Sequence, residues 1–171
     1  MQNHKVRILA IDPGTKAFGV AYFEGNSLFD YGVRFIKRGK SLTELLANLE
    51  GVAARLIKEK NPQVIILEKN AFSQIRQNAL MALAVVRIRA ISRTFRIPVL
   101  EFAANSVKKA VCGNGHAAKN DLQKVLISRY PELKAFIGPA RRWKEQYALY
   151  IFEAIALGLA FINKSADNDR N

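Results

Sequence analysis

The 171-residue chain carries 27 lysines and arginines against 14 aspartates and glutamates, a formal net charge of +13. Half of its residues are hydrophobic, which is the content of a folded domain and excludes a disordered basic tail. The charge points to a polyanion: DNA or RNA first, an anionic membrane second, with a basic ribosome-associated factor as the plainer reading. The lone cysteine, Cys112, excludes an intrachain disulfide and a multi-cysteine zinc site, and fits a reducing cytosol. The first residues run into a strand without an apolar leader core. The most apolar segment, residues 147–162, contains Glu153 and reads as a buried helix, not a membrane span.

Residues 6–11 (VRILAI) are apolar and β-branched, as in a central strand, and Asp12-Pro13-Gly14 behind them signals a turn. Residues 18–23 (FGVAYF) predict a second strand, Gly25-Asn26 a hairpin turn, and residues 28–36 a third strand, so the three form an antiparallel meander. The basic loop of Lys37, Arg38 and Lys40 follows. Ser41, with Glu44 three residues on, is a capping box for a helix that Asn61-Pro62 ends. Residues 64–67 (VIIL) read as a buried strand. A long helix is expected over 73–95, then a strand over 97–102 with Pro98 at its start or on an edge. Ser106 is expected to cap a short helix through Val111, residues 113–116 to form a loop, and a helix to run from about Asn120 to Pro131. The last helix covers residues 147–162. This order predicts one α/β domain over residues 1–163, a mixed sheet with helices on both faces, and a polar, frayed tail over 164–171.

Asp12 ends the first strand and Glu68 ends the VIIL strand, where ligand sites of α/β sheets gather. Two half-buried carboxylates on adjacent strands repel one another, and a hard divalent cation, Mg²⁺ or Mn²⁺, would relieve that repulsion. Each alone could simply cap a turn. Glu153 is a third acid, set in an apolar helix where it needs a cation or a salt bridge with one of the many basic residues. Two such cations about 4 Å apart could catalyse phosphodiester hydrolysis, one activating water and the other stabilising the leaving oxygen.

The run Ile8 to Lys16 (ILAIDPGTK), Gly19-Val20-Ala21, residues 64–68 (VIILE), Asn78-Ala79-Leu80, residues 106–119 (SVKKAVCGNGHAAK) and residues 153–158 (EAIALG) together resemble the RuvC family of Holliday junction resolvases, in order along nearly the whole chain. The stretch bounded by Lys108 and Lys119 is the most specific part, because Asp-x-Gly-Thr alone is shared with sugar kinases and actin-like ATPases. The resemblance implies a ribonuclease-H-like fold, a homodimer acting on branched DNA, and metal-dependent cleavage with Mg²⁺, one or two ions per subunit. It places Asp12, Glu68 and Glu153 on metal-binding acids, Lys108 and Lys119 beside the scissile phosphate, and Phe72 one residue off an aromatic that enters the junction centre. A branch-migration helicase partner and a cytoplasmic, nucleoid-associated location follow from the same likeness.

The chain also departs from that pattern. Where the family has a further Asp three residues before the last acid, this chain has Tyr150. The nearest upstream acid is Glu145, roughly 12 Å away along a straight helix at 1.5 Å per residue, so it could serve as a further catalytic acid only if the helix starts later or bends. Two other readings therefore stand beside the resolvase: a junction-binding protein with impaired catalysis, and an RNA-processing nuclease like the YqgF group. An actin-like ATPase is a distant fourth reading, set back by the short chain and the lack of a second phosphate loop. Further DNA contacts are expected from Lys109 and Asn114 in the glycine loop, and from Arg141 and Arg142 beside Trp143, which could stack on a base. Arg87, Arg89, Arg93 and Arg96 do not share one narrow face, so some serve packing or a dimer. The Ala- and Leu-rich stretch of residues 79–84 is a candidate dimer face.

Overall fold

The computed structural model describes residues 5–69, 79–137 and 142–168, with the side chains of residues 142–146 and 168 outside the description. β1 (Arg7–Pro13) is apolar on both faces because it lies inside the sheet. β2 (Ala17–Glu24) and β3 (Ser27–Phe35) fold back on it antiparallel, joined by a hairpin with Gly25 at φ 58°, where a glycine is least strained. β4 (Val64–Glu68) and β5 (Val99–Phe102) add in parallel on the other side, giving the order β3-β2-β1-β4-β5. This is the mixed sheet expected from the sequence. Pro98 immediately precedes β5, which lies at one end of the strand order, and its carbonyl accepts the Ile65 N–H at 3.0 Å.

α1 (Leu42–Lys60) and α2 (Ala79–Thr94) cover one face through Leu49, Leu56, Ile57, Ala84 and Ile88, against Leu9, Ile11 and Ile65. Ser41 Oγ accepts the Glu44 N–H at 3.2 Å, while the Glu44 carboxylate takes the Lys40 N–H at 2.7 Å, one residue earlier than a strict capping box. Asn61, at φ 43°, closes α1 in the left-handed region. The other face holds α3 (Ala104–Cys112), α4 (Lys119–Arg129), a 3-10 turn (Pro131–Phe136) and α5 (Arg142–Asn168). α5 is apolar and long enough to cross a membrane by length and composition, yet most of its apolar stretch is buried in this core, against β1 and β2.

Several expected boundaries move. Ser106 does not cap α3: the chain passes from β5 through Ala103 straight into a helix at Ala104, so Ser106 falls in the first turn. The expected helix over 73–95 ends at Thr94, and Arg96 follows it at φ 57°. α5 continues past Ile162 to Asn168, helped by Asn163 Nδ2 donating to the Ala110 carbonyl at 2.9 Å. The 3-10 turn after Pro131 has no counterpart in the sequence reading.

α5 is seated on β2 by two glycines. A methyl on Gly19 would overlap the Tyr150 carbonyl, and one on Gly158 would overlap the Phe23 ring. Strand and helix backbones therefore approach more closely than any side chain at these positions would permit. Gly19→Ala is expected to destabilise the fold by about 1–3 kcal/mol through forced displacement of α5. Gly51→Ala, in open space on α1, is expected to stabilise it by about 0.5–1 kcal/mol. Urea titration of both variants measures the contrast.

Candidate active site

Period-two alternation sends Ile8, Ala10 and Asp12 of β1 to the α5 face, and Val64, Ile66 and Glu68 of β4 to the same face. With Ile11 opposite Leu67 in parallel register, Asp12 and Glu68 leave adjacent strands side by side at their C-terminal ends. The antiparallel partner of Asp12 in β2 is Gly19, the residue on which α5 sits. Tyr150 is thereby brought to Asp12, and Glu153 follows one helical turn later on the same side of α5.

The three acids act on one another. Asp12 is 8% exposed, and its Oδ2 is buried without a hydrogen-bond partner. Burial first, then Glu153 and Glu68, push the Asp12 carboxyl well above the usual carboxylate range, against a smaller opposing pull from Lys119. Burial and Glu153 likewise push Glu68 up, while Lys108 and Lys119 pull it down. Lys119 opens α4, with Nζ 4.0 Å from Glu153 Oε1, and Lys108 lies on α3. The loop between those lysines turns at Gly113, φ 76°, and Asn114 Oδ1 accepts the His116 N–H at 2.9 Å. Lys109 is exposed at the end of α3.

Among the described residues, no three acidic, histidine or cysteine side chains close into a preformed metal cage. The donor set nevertheless fits a hard divalent cation. All its atoms are carboxylate oxygens, one is buried with no donor, and their mutual repulsion is what such an ion would offset.

Tyr150 lines this cluster. Its hydroxyl lies 2.8 Å from where a Cβ on Gly14 would sit, and burial followed by Asp12 and Glu153 drives its phenol upward, so it stays neutral. The sequence flagged Tyr150 as a departure; its close fit against Gly14 and Gly19 emerges only from the packing of α5. Phe72 and Arg141 lie outside the described residues, as do the side chains of Arg142, Trp143 and Glu145. Lys37, Arg38 and Lys40 are exposed on a loop that starts at the Asp12 end of the sheet, where the Ile36 N–H donates to the Lys16 carbonyl at 2.9 Å. Arg87 and Arg89 are engaged elsewhere, pairing with Glu50 and Glu101.

The family model that matches this chain is that of crossover junction endodeoxyribonuclease RuvC, over residues 8–144. A crossover junction endodeoxyribonuclease RuvC of Geotalea uraniireducens is 35% identical over 136 residues, spanning 75% of this chain and 79% of the relative. In three dimensions the chain is similar to a Thermus thermophilus RuvC structure, with TM-score 0.73 and 20% identity over 95% of this chain and 97% of the other. It is also similar to a T. thermophilus RuvC in complex with a Holliday junction substrate, with TM-score 0.70 and 19% identity over 91% and 92% of the two chains. At these identities the two structures show the shared fold.

The electrostatics set a sign. A carboxyl whose folded-state pKa is raised favours the protonated native state, so its ionisation costs stability increasingly as pH climbs from the unfolded value through the raised one. Asp12→Asn removes that cost. Without divalent metal the variant is expected to melt several degrees higher than wild type at neutral pH, with the gap closing on acidification. Addition of Mg²⁺ or Mn²⁺ is expected to raise the wild-type Tm and leave the variant's nearly unmoved, as differential scanning fluorimetry would read.

Proposed function

The chain belongs to the RuvC family of crossover junction endodeoxyribonucleases, and we propose that it resolves four-way DNA junctions by hydrolysing phosphodiesters at the cluster of Asp12, Glu68 and Glu153. The observation that carries this reading is the meeting of three acids from two strand ends and one helix, with an orphaned buried oxygen at its centre and two lysines on its rim. The family is one of metal-dependent nucleases; Mg²⁺, with Mn²⁺ as substitute, is the ion that this oxygen-only donor set fits best.

In this reading Asp12, Glu68 and Glu153 hold the ion or ions, which supply Lewis acidity at the phosphate and an activated water. Asp12 is the most constrained of the three, since β1 and its neighbours leave its carboxylate no freedom to turn to solvent. Lys119 and Lys108 receive the non-bridging oxygens of the scissile phosphate and oppose the negative charge that grows as the bond breaks. The backbone at residues 113–115 steers the same phosphate from the glycine loop between them. Lys37, Arg38 and Lys40 extend the basic surface on one side, and Lys109 and Asn114 on the other.

A four-way junction requires paired cuts, so two copies of the site are needed. α2 offers the face: Leu83 and Val86, three residues apart, are apolar yet 36% and 54% exposed, while Ala84, Val85 and Ile88 are buried in the core. We assign the homodimer to this face, with residues 1–163 forming one nuclease unit per subunit. A DNA substrate locates the protein with the nucleoid, and a branch-migration helicase is the partner class that would present junctions to it.

The reading is tested by cleavage of a labelled four-way junction in Mg²⁺ and in Mn²⁺. Wild type is expected to give paired nicks. Asp12→Asn and Glu68→Gln should abolish them without loss of junction binding, and Lys119→Ala should slow them by roughly 10²–10³-fold. Binding without cleavage by wild type in either metal would favour the second reading, a junction-binding protein whose site is impaired by Tyr150 in place of an acid. Tyr150→Asp should then restore cutting. Preferential cleavage of structured RNA would overturn both readings. For the dimer, Val86→Glu is expected to sediment as a monomer at micromolar concentration where wild type sediments as a dimer.

A further inference from the structure

Beside the carboxylate cluster the surface changes from acidic to aromatic. Tyr150 lines the cluster, Tyr147 stands one helical turn earlier on α5, and Phe35 at the end of β3 meets the Tyr147 ring edge-on, centroids 5.0 Å apart at 77°. Phe35 is 62% exposed, the highest value among the described large hydrophobic side chains, so the contact with Tyr147 orients its ring without burying it. Phe35 pairs with Ala17, just past the Asp12 turn, which fixes it at the same end of the sheet as the acids. Lys16, Lys37 and Arg38 are exposed around it, and none of them takes part in an ion pair among the described residues. The acid on the same strand, Asp30, is occupied by Arg34 at 3.0 Å and Lys60 at 2.7 Å.

We propose that Phe35, held by Tyr147 and flanked by Lys16, Lys37 and Arg38, is a stacking platform for an unpaired base of the DNA strand that passes through the carboxylate site. An oriented, solvent-facing ring with free cations around it is what a single-stranded segment requires: a π-face for the base and charge for the phosphates on either side. A paired duplex offers no base face to such a ring. The centre of a branched substrate does. The step from Tyr150 to Tyr147 is about 4.5 Å of helix, and the ring of Phe35 is 5.0 Å further. The platform thus lies within about three nucleotides of the scissile phosphate at roughly 3.4 Å each. The inference rests on the junction-nuclease reading and names the surface by which that site distinguishes a branch from a continuous duplex.

The test is equilibrium binding, in metal-free buffer, of a four-way junction carrying 2-aminopurine at each of the first three positions beside the cleavage site, with a continuous duplex as comparison. Wild type should quench 2-aminopurine at one of these positions. Phe35→Ala should lose the quench and bind the junction roughly tenfold more weakly, with duplex binding unchanged and the circular dichroism of wild type. Phe35→Trp should restore both signals. Arg38→Ala should weaken junction and duplex alike and lower the salt slope by about one. Wild-type junction affinity in Phe35→Ala, or an equal loss on the duplex, would overturn the platform while leaving the nuclease reading intact. So would a change in the oligomeric state of free Phe35→Ala, which would make this face a subunit contact. Wild type that shows no preference for the junction over duplex would remove the nuclease reading and the platform together.

Discussion

The close approach of α5 to β2 governs the rest of the molecule. The helix carries Tyr147, Tyr150 and Glu153, and how high it rides above the sheet is set by the residues at its closest contacts. Gly19 decides that, because any side chain there would meet the helix backbone at Tyr150. Gly158 repeats the device from the other side, opening a gap in the helix for the Phe23 ring. Since Gly19 is also the β2 partner of Asp12, the point of closest packing is the point at which the third acid is delivered to the first. Core packing and site assembly are one constraint here.

That constraint sets up an electrostatic cost. Asp12 is buried with an unpartnered oxygen, and it faces Glu153 and Glu68 before it meets any cation. A fold does not place these acids this way to gain stability, because burial and the nearby Glu153 oppose the ionisation of Asp12 and Glu68. The lysines on the rim offset only part of it: Lys119 is mostly exposed and 4.0 Å from Glu153. The imbalance is the physical reason to expect a divalent cation at this point, and it agrees with membership of a metal-dependent nuclease family. Tyr150 lowers the total charge of the cluster relative to a fourth acid while keeping a polar group within its reach.

Around this centre the surface is sorted by function. Arg87 and Arg89 spend their charge on Glu50 and Glu101, and so belong to the packing of α2 against its neighbours. The cations at the Asp12 end of the sheet, Lys16, Lys37 and Arg38, stay outside the ion pairs of the described residues, beside an exposed aromatic ring. The net charge of +13 is therefore spread unevenly, with paired cations on α2 and unpaired ones at the Asp12 end of the sheet.

The meander, the parallel strands and the identities of Asp12 and Glu68 were legible in the sequence because each rests on local chemistry. A short, wholly apolar, β-branched run reads as an inner strand, and an acid closing such a run falls at the strand's end. Glu153 stood out because an acid in an apolar helix is costly, and only the family resemblance singled out Lys108 and Lys119 from the many basic residues. Ser106 was misread as a cap because its chemistry is right for one, and only the direct passage from β5 into α3 shows that the helix starts earlier. Phe35 looked like one more apolar residue of β3, since exposure at a sheet edge depends on what the neighbouring helix leaves uncovered. The sequence by itself determined the elements, the acids and the charge, which follow from residue types over a few positions. The tertiary structure alone decided how far α5 descends, which cations remain free and which aromatics face solvent, because each depends on contacts between separate elements, such as Gly19 with Tyr150, Phe35 with Tyr147 and Arg87 with Glu50.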